Sequence, residues 1–218
     1  EAEKAAARAK AHKPGSHSQD TANKAKPGRP QGRKNRAKTP VVLNSELQRI
    51  QIMMQQQLAT IDGAIPLCHL VLDGHFGNNP ALYMVRSVGL HLISKLRHDA
   101  ALYFPYEGTY AGRGPRRKYG SKLDYTHIPV KYLKRTTVQD HIQTHMYQAQ
   151  MWHKEFASLL NVVIIIKINL KTHAWAHVVL FSRDMAFSDE TLIDDDRLRF
   201  QLEFNFRDAK QYWGLEDF

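Results

Sequence analysis

Apolar positions along this chain alternate between helix spacing and strand spacing. Asn44 is a residue type that caps helices with its side-chain oxygen. After it, Leu47, Ile50, Met54 and Leu58 recur at steps of three and four, which predicts a helix to about Ala59 buried along that side. Residues 67–72 form a continuous apolar run closed by Asp73-Gly74, the pattern of a central strand covered on both faces. Asn79-Pro80 then reads as a cap and first turn, residues 81–88 as a short helix stopped by Gly89, and residues 90–96 as a second strand. Together they predict a βαβ unit whose ligands lie beyond the strand ends, where Asp73 sits. Residues 143–152, 162–169 and 176–181 read as strands, the last two joined by a turn at Lys171-Thr172-His173. Ser188 is placed to cap a final helix, with Asp189 and Glu190 favourable in its first turn.

That final helix carries the densest pattern. Asp196, Arg199, Glu203 and Lys210 are separated by three, four and seven residues and project from one side. Leu198, Leu202 and Phe206 make one neighbouring row, and Phe200 and Phe204 another, so most of the remaining surface is apolar and is predicted to be buried. Spacing alone leaves two readings open for the charged side, a surface Arg199/Glu203 pair or a site.

Composition narrows the class. With 218 residues, 43% apolar and 24% charged, the chain has material for one sizeable core. The most apolar stretch, residues 161–170, is too short to span a membrane and contains Lys167. One cysteine, Cys68, excludes an internal disulfide, fits a reducing cytosol, and reads as a buried small apolar residue. The formal charge of +10 is mostly a tail, since residues 1–40 hold eleven Lys and Arg against three acids. This tail has almost nothing to bury and is expected to be a disordered basic linker that attracts phosphate backbones. Within it Lys26-Pro-Gly-Arg-Pro-Gln-Gly-Arg-Lys resembles an AT-hook, a minor-groove motif, with Arg29 and Arg33 as its cations; a solvated linker is the competing reading. Arg113, Arg116, Arg117, Lys118 and Lys122 fall in one stretch read as a loop, either a clamp on a nucleic-acid backbone or a solvated basic loop. The pairs His141/His145 and His173/His177 lack the Cys or Glu partners of common zinc motifs. The chain lacks an initiator Met and is read as an internal piece of a longer protein.

Arg199, Glu203 and Lys210 resemble the Tyr-x2-Arg-x3-Glu-x6-Lys signature of the transposases of insertion-sequence family four, within the DDE superfamily, with Asp196 standing where that family has Tyr. Val-Leu-Asp73-Gly-His-Phe-Gly-Asn is similar to the family's second catalytic Asp block, and Gly89-Leu-His-Leu-Ile-Ser-Lys-Leu-Arg97 continues the resemblance. The resemblance implies an α/β, partial ribonuclease H-like fold over residues 41–218, with a β-rich insertion at about residues 98–180 between the second catalytic Asp and the Glu. It implies Asp73 and Glu203 as catalytic, metal-binding acids. Arg199 and Lys210 would be phosphate contacts, and two Mg²⁺ or Mn²⁺ ions would serve DNA cleavage and strand transfer. It further implies transposon ends and target DNA as partners, a homodimer on DNA, and a cytoplasmic, nucleoid-associated protein. The first catalytic Asp has no suitable position here: Asp20 lies in the linker and Asp62 just before the Asp73 strand. Two other functions stay open, a non-catalytic DNA-binding protein and a metal-dependent nuclease in which Asp184 joins Asp73 and Glu203.

Overall fold

A computed structural model describes residues 40–214, apart from 111, 113 and 157. The basic tail therefore lies outside the described residues. Helix α1, Ser45–Ile61, begins where Asn44 Oδ1 accepts the Leu47 backbone N–H at 2.8 Å. Strand β1, His69–Val71, leads through Asp73 into a single 3-10 turn, Gly74–Phe76. Helix α2, Asn79–Ser87, is capped by Asn78 rather than Asn79: its Oδ1 accepts the Ala81 N–H at 3.0 Å, and Pro80 occupies the first turn. Gly89, at φ 82°, turns the chain into β2, His91–Leu96, which pairs parallel with β1.

Six further strands follow: β3, Leu102–Pro105; β4, Tyr119–Lys122; β5, Leu133–Gln139; β6, Ile142–His153; β7, Ser158–Asn169; and β8, Trp175–Ser182. All belong to one sheet of order β1-β2-β8-β7-β6-β3-β4, with β5 also pairing with β6. The stretch expected as a β-rich insertion thus shares the sheet of the βαβ unit, because β8 pairs antiparallel with β2 from Ile93↔Ser182 to Leu96↔Val179. Lys122, assigned to a loop by sequence, lies at the end of β4. The expectation of a central strand at residues 67–72 is corrected, since β1 is three residues long and forms one edge of the sheet. Cys68 just before it is exposed, not buried.

The pleat divides the core by residue parity. Leu92 and Leu96 of β2, Leu160, Val162 and Ile164 of β7, and Val179 and Phe181 of β8 face Ala81, Leu82, Met84 and Val85 of α2 and Leu47 of α1. Ile93, Val163 and Leu180 point the other way, onto Leu192 and Ile193 of the third helix, α3, Asp189–Trp213. Helices therefore cover both faces of the sheet. Among the described residues no helix is long and apolar enough to cross a membrane.

Candidate active site

Helix α3 runs across the sheet strand by strand. Glu190 in its first turn pairs with Arg135 of β5 at 2.9 Å, and Leu192 and Ile193 bury against β2, β6, β7 and β8. Asp196 then meets Lys95 of β2 at 3.0 Å, and Arg199 meets Asp73, just past the end of β1, at 3.5 Å. Beyond Arg199 the helix continues past the edge strand. Leu198 beside Arg199 and Phe200, Leu202, Phe204 and Phe206 beyond it are exposed, so the expectation that these rows are buried is corrected. Among the described residues the sheet that would cover them ends at β1.

Arg199 is the hub. Its side chain is 12% exposed, and its guanidinium faces Asp73 and Asp196 and hydrogen-bonds Glu203 one turn along. Asp73 and Glu203, from different elements, meet on one planar fork, which sets them roughly 8 Å apart at most. Asp196 Oδ1 is 3.6 Å from Arg199 Nε, too far for a hydrogen bond, and that buried Nε is unpartnered. Asp196 instead serves Lys95. The acid at the resembled family's Tyr position is thus 16% exposed and held between two cations, which removes the repulsion it would otherwise exert on Glu203. The backbone N–H of Gly74 holds the Asp73 carboxyl below its ordinary value, helped by Arg199, His75 N–H and Lys95, while partial burial pulls the other way. The backbone is fixed as well: buried Ser94 donates to the Asp73 carbonyl at 2.8 Å.

A strand-end aspartate and a helix glutamate are thus brought together on one arginine at the edge of a mixed α/β sheet. Residues 2–158 match the sequence model of the DDE superfamily endonucleases, well over half of the 218 residues, and the chain belongs to that family. Membership carries nuclease or transposase-type activity on DNA as the class of function. The match takes in Asp73 and ends at the start of β7, so α3 with Glu203 lies beyond it. Among curated proteins none matches the chain.

Enzymes of this superfamily generally use divalent ions, and the donor set here tests whether they fit. Hard cations need several carboxylate oxygens converging on one point. Asp73 and Glu203 converge instead on the Arg199 guanidinium, and no three His, Cys, Asp or Glu among the described residues form a group able to hold a metal. In this arrangement the residues do not fit the ions.

The same geometry makes Arg199 testable. Arg199→Met leaves three acids around one lysine and should cost about 2 kcal/mol at low salt, less at high salt because Asp73 and Glu203 are half exposed. Millimolar Mn²⁺ should then raise the melting temperature of the variant more than that of the wild type. A variant as stable as wild type and indifferent to Mn²⁺ would remove Arg199 as the hub.

Asp184 lies elsewhere. Its Oδ2 accepts from His69 Nε2 at 3.0 Å, at the start of β1, whereas Asp73 follows the end of that strand. At ~3.3 Å per residue these positions are about 13 Å apart. Asp184 therefore does not join Asp73 and Glu203. Its carboxyl is held below 3.8, chiefly by the Ala186 N–H and then by His69 and His91. A depressed folded-state value stabilises above the unfolded value and is lost as pH falls through the folded one. Asp184→Asn should cost about 1 kcal/mol at pH 7 by urea unfolding, with the deficit shrinking below pH 4. A deficit unchanged between pH 5 and pH 3 would exclude the charge as its cause.

The basic residues named from sequence fall in three places. Arg199 is at the hub, and Lys210 lies farther along α3. Arg116, Arg117, Lys118 and Lys122 lie at the β4 edge, six strand spacings from β1 or roughly 30 Å. Arg29, Arg33 and Arg113 lie outside the described residues. Sequence reading missed Lys95, whose signal was a lone cation inside an otherwise buried strand. Of the histidines, His141 occupies the β5–β6 turn at φ 63°, His145 bonds Thr136, and His177 donates to the His98 carbonyl.

Proposed function

We propose that this chain is part of a transposase catalytic domain and supplies its second and third acids, Asp73 and Glu203. The observation that carries this reading is their convergence on Arg199 from a strand end and a helix. The first acid would come from a strand outside this sequence. Among the described residues nothing pairs with the outer edge of β1, which leaves its backbone groups able to take a further strand. On this reading the fold is ribonuclease H-like, the ions are Mg²⁺ or Mn²⁺, the substrates are transposon ends and target DNA, and two copies act together.

The chain's own residues bind and orient. An incoming phosphate gives Arg199 a bidentate partner in place of its carboxylates and releases Asp73 and Glu203 from the guanidinium. Lys210 adds a point charge on the same side of α3. Until then Arg199 keeps both acids occupied, which accounts for a site that does not fit metal.

That occupied state also favours a second reading, a DNA-binding protein without catalysis. The test is cleavage of a labelled duplex carrying the ends of the encoding element, in Mn²⁺, by the product of the complete reading frame and by these 218 residues alone. Metal-dependent nicking is expected from the former only. DNA binding without nicking by either protein would make the second reading the function.

A further inference from the structure

The edge of the sheet opposite Asp73 carries an array of rings and cations that the proposed chemistry leaves unused. Three consecutive cations each lie over a different ring: Arg116 over Tyr110 at 5.3 Å, Arg117 over Tyr106 at 4.9 Å, and Lys118 over Trp152 at 5.4 Å. Lys154 lies over Tyr103 at 4.7 Å and Tyr119 at 6.0 Å. Sheet pairing gathers these rings from distant sequence, since Tyr103 of β3 is registered with Trp152 of β6, and Tyr119 of β4 packs edge-on to both at 5.5 and 5.9 Å. Tyr106, Tyr110, Arg116 and Arg117 also line an open cavity of about 410 Å³, within the range that holds small organic groups, and among the described residues no acid contributes to its wall. Gly108 backs the Tyr106 side chain so closely that a Cβ there would lie 2.3 Å from its hydroxyl oxygen.

We propose that this rim binds single-stranded DNA, with unpaired bases stacking on the tyrosines and the adjoining guanidinium and ammonium groups holding the phosphates. It rests on the reading of the chain as a DNA-processing protein, though not on the Asp73 site. The rings decide between strand forms. A duplex presents phosphates and base edges but hides its base faces, so it can use the cations and not the tyrosines; an unpaired strand uses both. Stacking is indifferent to base identity, so the rim binds without sequence preference. An acidic peptide would use the cations and leave the ring faces idle.

The experiment compares a short labelled oligothymidylate with a duplex of equal length, both titrated with the full chain. Tyr106→Leu and Tyr110→Leu keep every charge and most of the volume at two exposed positions. Each should weaken oligothymidylate binding about tenfold and leave duplex binding unchanged. The pair Arg116→Gln/Arg117→Gln should weaken both forms and flatten the salt dependence by about one unit of log–log slope. With Trp175 and Trp213 replaced by Phe, Trp152 emission should be quenched by the oligothymidylate and not by the duplex. Equal losses for both DNA forms, or tyrosine variants that bind the single strand like wild type, would overturn the proposal. Wild-type binding to duplex alone would overturn this rim while sparing the transposase reading, and binding to neither form would sink both.

Discussion

Gly77→Ala is expected to destabilise the protein by about 3 kcal/mol and to loosen Asp73 from Arg199. Gly77 closes the turn that follows Asp73, donating its N–H to the Gly74 carbonyl at 3.0 Å. A Cβ at this position would lie 1.9 Å from the Lys95 carbonyl oxygen and 3.1 Å from the Lys95 carbonyl carbon and the Gly74 oxygen. These are backbone atoms of a paired strand and a tight turn, so no side chain can swing aside. The φ at Gly77 is −71°, outside the left-handed region, so the expected cost rests on the clash alone. Relief requires the turn to lift off β2, carrying Asp73 with it and straining the Lys95–Asp196 pair. Gly63→Ala is the comparison: there φ is 74° but nothing lies within 4 Å, and the cost should be near 1 kcal/mol. Urea unfolding of both variants decides the point. An alanine at 77 tolerated as well as one at 63 would mean that the turn does not bear on β2.

Local signals were legible in the sequence and long-range pairing was not. Asn44, Ser188 and Gly89 end or start elements through their own backbone and side-chain chemistry, so reading them required nothing distant. Only the end of the run at residues 67–72 reported its surroundings face by face: Leu70 and Leu72 pack toward α1 and α2, Val71 toward α3, while Leu67 and Cys68 are exposed. What hydrophobic period cannot encode is position in the strand order, which depends on β2 choosing β8 some eighty residues later. The charged row of α3 was visible because helix spacing fixes it, whereas its partner Lys95 comes from another element and was not. The exposure of the apolar rows depends on where the sheet stops, again a property of the pairing. Tyr103, Tyr119 and Trp152 looked like scattered rings for the same reason.

In the protein that cleaves DNA, Asp73→Asn and Glu203→Gln should each lower single-turnover cleavage at least about a thousandfold, and the double variant should be little worse than either single one. Both substitutions keep size and hydrogen-bonding reach while removing one negative charge. Phosphoryl transfer is limited by how well charge on the attacking and leaving oxygens is stabilised, and groups that do this jointly fail jointly, which is the reason to expect non-additivity. Folding should barely register the change: the two side chains are 58% and 54% exposed, so each ion pair with Arg199 is screened, and stability should move by less than about 1 kcal/mol. Asp196→Asn is the informative contrast. Its side chain is 16% exposed and holds Lys95, so it should cost about 2 kcal/mol of stability while costing far less than a thousandfold in rate. Cleavage kinetics measured beside melting curves on these four variants separate chemistry from support. If Glu203→Gln cleaves nearly as fast as wild type, the Arg199–Glu203 contact is a helix-surface pair of a few tenths of a kcal/mol, and the third acid must be sought on another element.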